Sequence, residues 1–337
     1  MSIRKICMSK KLTIKDVAEM ANVSVATVSR VINNNGRFSE ETREKVLKII
    51  DETGYEINSI AKSLRENKTY TIGIIVPDIS NYFFYSVVQK IEQIIFNLGY
   101  ATIICNTDRN NKKEQSYLKV LQSKGVDGII AISGDSNFVF NNPDIPYICI
   151  DREPSNKSNT IFIGSDHFKG AYLATNELIK RGSKYPAIIY HSNDSAYSKK
   201  RIEGFYAAIN DSNIIVEQIT EFKLDQNSTD GGIRNLLKLK NIDSIFAIND
   251  NVAINILQIL NNENICIPDE IQLIGFDDNS INSYLFPTLS SVKQDIDLIA
   301  KYAVKYLISL IEDTNPPGLS VIVPVDLVMR QSTKKLK

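Results

Sequence analysis

The stretch TIKDVAEMANVSVATVSRVIN, residues 13–33, sets out two short helices and the turn between them. Thr13, followed three residues on by Asp16, is the pattern of a capping box, where each side chain satisfies the other's backbone amide at a helix start. A helix from there to about Ala21 puts Val17 and Ala21 on one inner face, four residues apart. Asn22 stands where the chain must turn, and it tolerates the left-handed backbone a tight turn needs. Ser24 caps a second helix that turns Val28 and Ile32 inward. Two short helices joined by three residues make a helix-turn-helix. A third helix follows from Ser39, with Glu40 and Glu41 in its first turn. It turns Val46, Ile49 and Ile50 inward and ends at Gly54.

On the outer face of the second helix Ala26, Arg30 and Asn33 share one stripe, flanked by Val25, Thr27 and Ser29. Small side chains let such a helix enter a DNA major groove closely, and an arginine there reaches a guanine edge with two hydrogen bonds. The same spacing also suits a plain three-helix bundle whose polar stripe faces water. Charge leans toward the first reading. Within residues 1–35 six basic residues face two acidic ones, although the whole chain is neutral. One end is therefore suited to a polyanion and the remainder is not.

At this point residues 13–33 resemble the DNA-binding headpiece of the LacI/GalR family of bacterial repressors. The resemblance implies base contacts from Val25, Ala26 and Arg30, and phosphate contacts mostly from Thr13, Ser24, Thr27, Ser29 and Asn33. Asn22 replaces the family's usual glycine and can take the same backbone conformation. Just downstream, residues 58–65 (NSIAKSLR) resemble the family's hinge helix, with Ile57 and Lys62 where proline and arginine are usual. Eight residues are too few for a helix to hold alone, since isolated helices shorter than about 12–15 residues are marginal. The resemblance implies that two such helices from a dimer order in the minor groove, with Lys62 among the contacts and Leu64 wedged into a base step. A plain solvated linker is the alternative.

From Tyr70 onward apolar runs alternate with helical stretches: residues 71–76, 101–105, 128–132, 147–150, 187–190, 244–248 and 271–276. Runs apolar on both faces and spaced by helices indicate parallel sheets, here enough for two lobes. Many end in polar clusters: Pro77-Asp78, Asn106-Thr107-Asp108, Asp151-Arg152, Asn249-Asp250 and Asp277-Asp278. Ligands of open α/β sheets bind at the carboxyl ends of strands, so the clusters should line one cleft. The family resemblance continues here through VPDISNYFF (76–84), GVDGII (125–130), RIEGF (201–205), Asn249-Asp250 and IGFDD (274–278). It implies a core like that of periplasmic sugar-binding proteins, with Asn81, Phe83, Phe84, Asp151, Arg201, Asn249 and Asp277 around a small effector. Sugars, sugar phosphates and nucleosides all suit that chemistry. Asp78 and Asp278 read as helix caps, His167 as a surface residue at a helix start, and Phe83 and Phe84 as a pair that cannot both turn inward.

The expected architecture is an all-α helix-turn-helix headpiece (1–57), a hinge helix and linker (58–68) and a two-lobed α/β core (69–337) that binds effector and dimerises. A single headpiece reads one half-site, so a homodimer on a pseudo-palindromic operator follows. A phosphocarrier protein as co-regulator is a further possibility within the family. Catalysis is disfavoured: no phosphate loop or nucleophile elbow is present, and Asp277 and Asp278 as strand neighbours point to opposite faces. Two histidines (His167 and His191) are too few for a histidine-based metal site, and no cofactor is expected. Four scattered cysteines, three in or beside apolar stretches, read as buried reduced thiols. Without an apolar leader or a run of about 18–20 apolar residues, the expected location is the cytoplasm, away from membranes.

Overall fold

The computed structural model describes residues 12–32, 34–55, 68–133, 144–152, 160–191, 196–215, 218–224, 230–239, 241–314 and 320–336. Contacts divide the chain into two compact units, Met1–Thr69 and Tyr70–Lys337.

In the first unit α1 (Ile14–Ala21), α2 (Val25–Ile32) and α3 (Glu40–Thr53) form where the local signals place them. The Thr13 hydroxyl accepts from the Asp16 amide while the Asp16 carboxylate accepts from the Thr13 amide at 2.7 Å. Asn22 closes α1 with φ of 53°, and Gly54 closes α3 with φ of 61°. The core gathers Val17, Ala18, Ala21, Val28, Val31, Val46 and Tyr55. Val31, three residues after Val28, is buried at 3% exposure, whereas Ile32 is half-buried. The expected inward face of α2 is thus rotated by one residue. Residues 58–67, with the expected hinge contacts Lys62 and Leu64, lie outside the described residues, as does Asn33.

The second unit holds two six-stranded sheets. Its chain runs β1 (Thr71–Val76), α4 (Tyr82–Asn97), β2 (Ala101–Asn106), α5 (Asn111–Ser123), β3 (Gly128–Ile132), β4 (Tyr147–Ile150) and β5 (Thr160–Ser165). It then crosses into a second lobe: α6 (His167–Lys180), β6 (Pro186–His191), α7 (Ala196–Asn210), β7 (Thr220–Leu224), α8 (Asp230–Leu239), β8 (Ser244–Ala247), α9 (Asp250–Asn262), β9 (Gln272–Asp277) and β10 (Ser290–Gln294). Next, α10 (Ile296–Ile311) packs Ile299, Ala300, Ala303, Val304 and Leu307 back into the first lobe's core. Finally β11 (Ser320–Val323) joins the first sheet and β12 (Val325–Val328) the second.

Strand order is β11-β5-β4-β3-β1-β2 in the first sheet and β12-β10-β9-β8-β6-β7 in the second. Every pairing is parallel except β10 with β12. Parallel strands sandwiched by helices must be apolar on both faces, and β1, β3, β4 and β8 are buried along almost their whole length. Among the described residues the chain passes between lobes at Asp166, Asp295 and Pro324. Cys105 and Cys149 are buried as thiols; Cys266, although it sits between Ile265 and Ile267, is exposed. No helix among the described residues is long and apolar enough to cross a membrane.

Candidate functional site

On the first unit, the stripe along α2 is open to solvent at Val25, Ala26 and Arg30, with Thr13 and Ser24 exposed beside it and Thr27 and Ser29 half-buried. Ser24 accepts from the Thr27 amide at 3.0 Å, and the two hydroxyls lie 2.9 Å apart. The Arg30 stem lies over Gly36, where a Cβ would stand 3.2 Å from Arg30 Cδ. That packing holds the guanidinium's stem while its head projects from the helix.

In the second unit, a cleft of about 350 Å3 of solvent-open space lies between the lobes. Asn81, Phe83, Phe84, Arg109 and Asp151 line it from the first lobe, and Tyr197, Arg201, Asn249 and Asp277 from the second. All seven residues expected around one cleft stand there. Arg109 and Tyr197 are additions. Arg109 directly follows the Asn106-Thr107-Asp108 cluster, and Tyr197 precedes Arg201 by one helical turn, so both carried a positional signal. The parallel sheets explain the convergence: Asp151 and Asp277 sit at the ends of β4 and β9, and Asn249 follows β8. Backbone strain collects at the same points, with positive φ at Arg109 (56°), Asp151 (51°) and Asp277 (114°).

Three expectations need correction. Asp78 accepts from the Ser80 amide and hydroxyl in a local turn, and Asp278 pairs with Arg330 at 2.7 Å. The caps are Asn81, which accepts from the Phe83 and Phe84 amides to start α4, and Asn249, which accepts from the Val252 amide to start α9. Each caps with its Oδ1, leaving its Nδ2 for the cleft. Phe83 and Phe84 are both buried, 4% and 5% exposed, in an edge-on pair 5.7 Å apart that serves core and cleft at once. His167 is not a surface residue: it is 3% exposed, its Nε2 lies 2.9 Å from Asp151 Oδ1, and Arg201 Nε and Nη2 face its Nδ1 at 3.3 Å.

Arg201 is the hub. Its Nη1 donates to the Ile248 carbonyl at 2.6 Å, and its Nη2 lies 3.4 Å from Asp277 Oδ1. The guanidinium carbon sits 3.5 Å from the centre of the Phe276 ring. Gln294 donates to the same Asp277 oxygen at 2.7 Å. Burial pushes the Asp277 pKa up despite Arg201 and Gln294. Behind the cleft wall, Asp250 is fully buried and accepts from the Asn279 amide, Asn282 Nδ2 and the Ser291 hydroxyl. Burial, and then the neighbouring Asp277 charge, raise its pKa. Burial also opposes ionisation of Asp151, but its bonds from His167 and the Ser165 amide, with Arg201 nearby, outweigh it and hold that pKa below the usual range. The neighbouring carboxylates thus occupy different environments.

Residues 13–58 match the model of bacterial regulatory proteins of the lacI family, and residues 175–333 that of the periplasmic binding protein-like domain. The ribose operon repressor of Halalkalibacterium halodurans is 35% identical over 327 residues, covering 96% of this chain and 97% of that protein. A periplasmic binding protein/LacI transcriptional regulator of Alkaliphilus metalliredigens, in a crystal with D-xylulofuranose, superposes with a TM-score of 0.71 at 29% identity. A LacI family transcriptional regulator of Enterococcus faecium with bound ribose does so with a TM-score of 0.70 at 28% identity. Both superpositions cover 79% of this chain and 100% of the other.

Proposed function

Because the chain belongs to the lacI family of bacterial regulatory proteins, we propose that this DNA-binding transcriptional repressor is switched by a small neutral sugar held in the cleft between its lobes. The observation that carries the sugar reading is the pair of buried carboxylates. Asp151 uses Oδ1 for His167 and the Ser165 amide, and Asp277 uses Oδ1 for Gln294 and Arg201. Each keeps its Oδ2 for a ligand. Two acceptors, two Asn amides and the guanidiniums of Arg109 and Arg201 suit the several hydroxyls of a sugar, while Phe83, Phe84 and Tyr197 offer faces to its C–H surface. The relatives crystallised with ribose and D-xylulofuranose support a pentose.

A thermal-shift series on the full chain tests this with D-ribose, D-xylulose, ribose 5-phosphate, nucleosides and purine bases. A ligand at 100 times its Kd adds about 2.7 kcal/mol of stability. Stabilisation by a free pentose is the expected result. Stabilisation by the phosphate ester alone, or by purines alone, would defeat the neutral-sugar assignment.

At the other end we infer that α2 reads the major groove with Val25, Ala26 and Arg30, and that Thr13, Ser24, Thr27 and Ser29 hold phosphates. Asn33, Lys62 and Leu64 complete the proposed set. The protein acts as a homodimer in the cytoplasm, one headpiece per half-site; Tyr284 and Phe286, each 85% exposed on the second lobe, are apolar surface that a partner would cover. Arg30→Ala is expected to weaken an operator selected from random duplexes by about 1–3 kcal/mol and to relax preference at one base pair. Fluorescence anisotropy against that duplex and single-base variants reads both. Uniform weakening on every duplex would assign Arg30 to phosphate instead. The pseudo-palindrome should also bind far better than one half-site.

A further inference from the structure

One polar chain runs through the buried centre of the second unit. It starts at Asp151, at the end of β4 in the first lobe, and passes to His167 at the first crossing between lobes. From His167 it passes to Arg201 on α7, then to Asp277 at the end of β9, and ends at Gln294 beside the second crossing. Every member is at most 9% exposed. His167 is the link between lobes, and its geometry fixes its chemistry. Nδ1 faces two guanidinium donors at 3.3 Å, so it must carry a lone pair. Nε2 faces a carboxylate at 2.9 Å, so it carries the hydrogen. The ring is neutral.

We propose that His167 is a positioning residue of the effector pocket: a neutral imidazole that holds Asp151 of one lobe and Arg201 of the other in their ligand-facing orientations, so that protonating it disables the pocket. The effector part rests on the sugar reading above. A proton on Nδ1 would turn an acceptor into a donor aimed at a guanidinium, and Arg201 would have to leave. Arg201 cannot leave without uncovering Asp277. The groups around the ring are Asp151 from β4, Arg201, Lys200 and Tyr197 from α7, and the Phe276 ring 5.7 Å away from β9. Burial, the largest influence, and the two cations oppose protonation, while Asp151 favours it; the net direction is a pKa below the usual value near 6.5.

His167→Gln supplies the same pattern without a titrating proton, since a Gln oxygen can accept from Arg201 and its amide can donate to Asp151. Three readouts on the full chain follow. With only two histidines, nitrogen NMR can assign the His167 ring by its absence in the Gln variant. The expected form at pH 7 is the neutral Nε2–H tautomer. For stability the sign is set by the depressed pKa: the unfolded chain binds the proton more readily, so wild type should lose stability as pH falls through about 6.5. The Gln variant should lack that part of the loss, and His191, present in both, cancels. With D-ribose as probe, wild-type affinity should fall about tenfold per pH unit once His167 protonates. The Gln variant should bind within a few-fold of wild type at pH 7.5 and keep its affinity in acid.

An Nδ1–H or cationic ring at pH 7 overturns the proposal. So does a Gln variant whose D-ribose affinity falls in acid as that of wild type does, because the titrating group would then be a carboxylate such as Asp277. If wild type takes no D-ribose at any pH, the pentose reading fails, while the tautomer and the stability difference still decide the role of His167.

Discussion

Replacing Arg201 with alanine is expected to remove about 3–5 kcal/mol of stability, the usual consequence of stripping one partner from a buried ion pair. The side chain is 3% exposed and has no solvent to fall back on. Its loss orphans the Ile248 carbonyl, leaves His167 Nδ1 without a donor, and takes from Asp277, beside the buried Asp250, the cation it is paired with. The deficit should depend on pH, with a sign that checks the cause. Asp277 already has a raised pKa, and without Arg201 it rises further. The folded variant therefore binds a proton that the unfolded chain, titrating near 3.9, does not hold. Its deficit against wild type should shrink as pH falls from 8 to 5. Urea unfolding at several pH values measures it. A deficit that is constant or grows in acid would mean that the lost packing on Phe276, 3.5 Å from the guanidinium, matters more than the charge. Arg201→Lys keeps the charge without the planar fork and should fall between the two.

Why some of this was legible in the sequence and some was not follows from how far each signal reaches. The headpiece signals are local. Thr13 with Asp16, Asn22, Ser39 and Gly54 act within four residues, and each cap forms where the spacing places it. All seven short apolar runs correspond to strands, six of them interior and one, β2, at a sheet edge. The other strands hide for different reasons. β7, TEFKL, is an edge strand with only its two ends buried. β10, SSVKQ, buries Ser290 and Ser291 because Ser332, Thr333 and Asp250 supply hydrogen bonds from 41–43 residues away. Caps were misplaced for a subtler reason. Asp78 and Asn81 are both suited to the start of α4, and only the fold shows that Asp78 turns back on Ser80. His167 is buried by partners 16 and 34 residues distant, a fact no local pattern contains. The cleft residues stood out because strand ends are punctuated in the sequence; the imidazole between them did not.

The same distinction between local and tertiary demand gives Gly204 and Gly231 opposite responses to alanine. Gly204 lies within α7, where a Cβ would stand 2.2 Å from the Phe168 carbonyl oxygen and 3.1 Å from Ala171 Cβ, both on α6. A backbone oxygen cannot swing aside, so the two helices must separate. Overpacking of this kind costs about 1–3 kcal/mol, occasionally more. Separation also moves the functional groups, because His167 adjoins Phe168 and Arg201 precedes Gly204 by three residues. Gly204→Ala is therefore expected to lose about 3 kcal/mol and to weaken ligand uptake together with stability. Gly231, exposed in α8, has nothing within 4 Å of its would-be Cβ. There alanine restricts the unfolded chain and meets no obstacle, so Gly231→Ala should gain roughly 0.4–1 kcal/mol. Denaturation midpoints of the two variants, measured side by side, decide the matter. If both move the same way, close approach of α6 and α7 does not set the requirement at 204, and the tie between helix packing and the His167–Arg201 contact loses its basis.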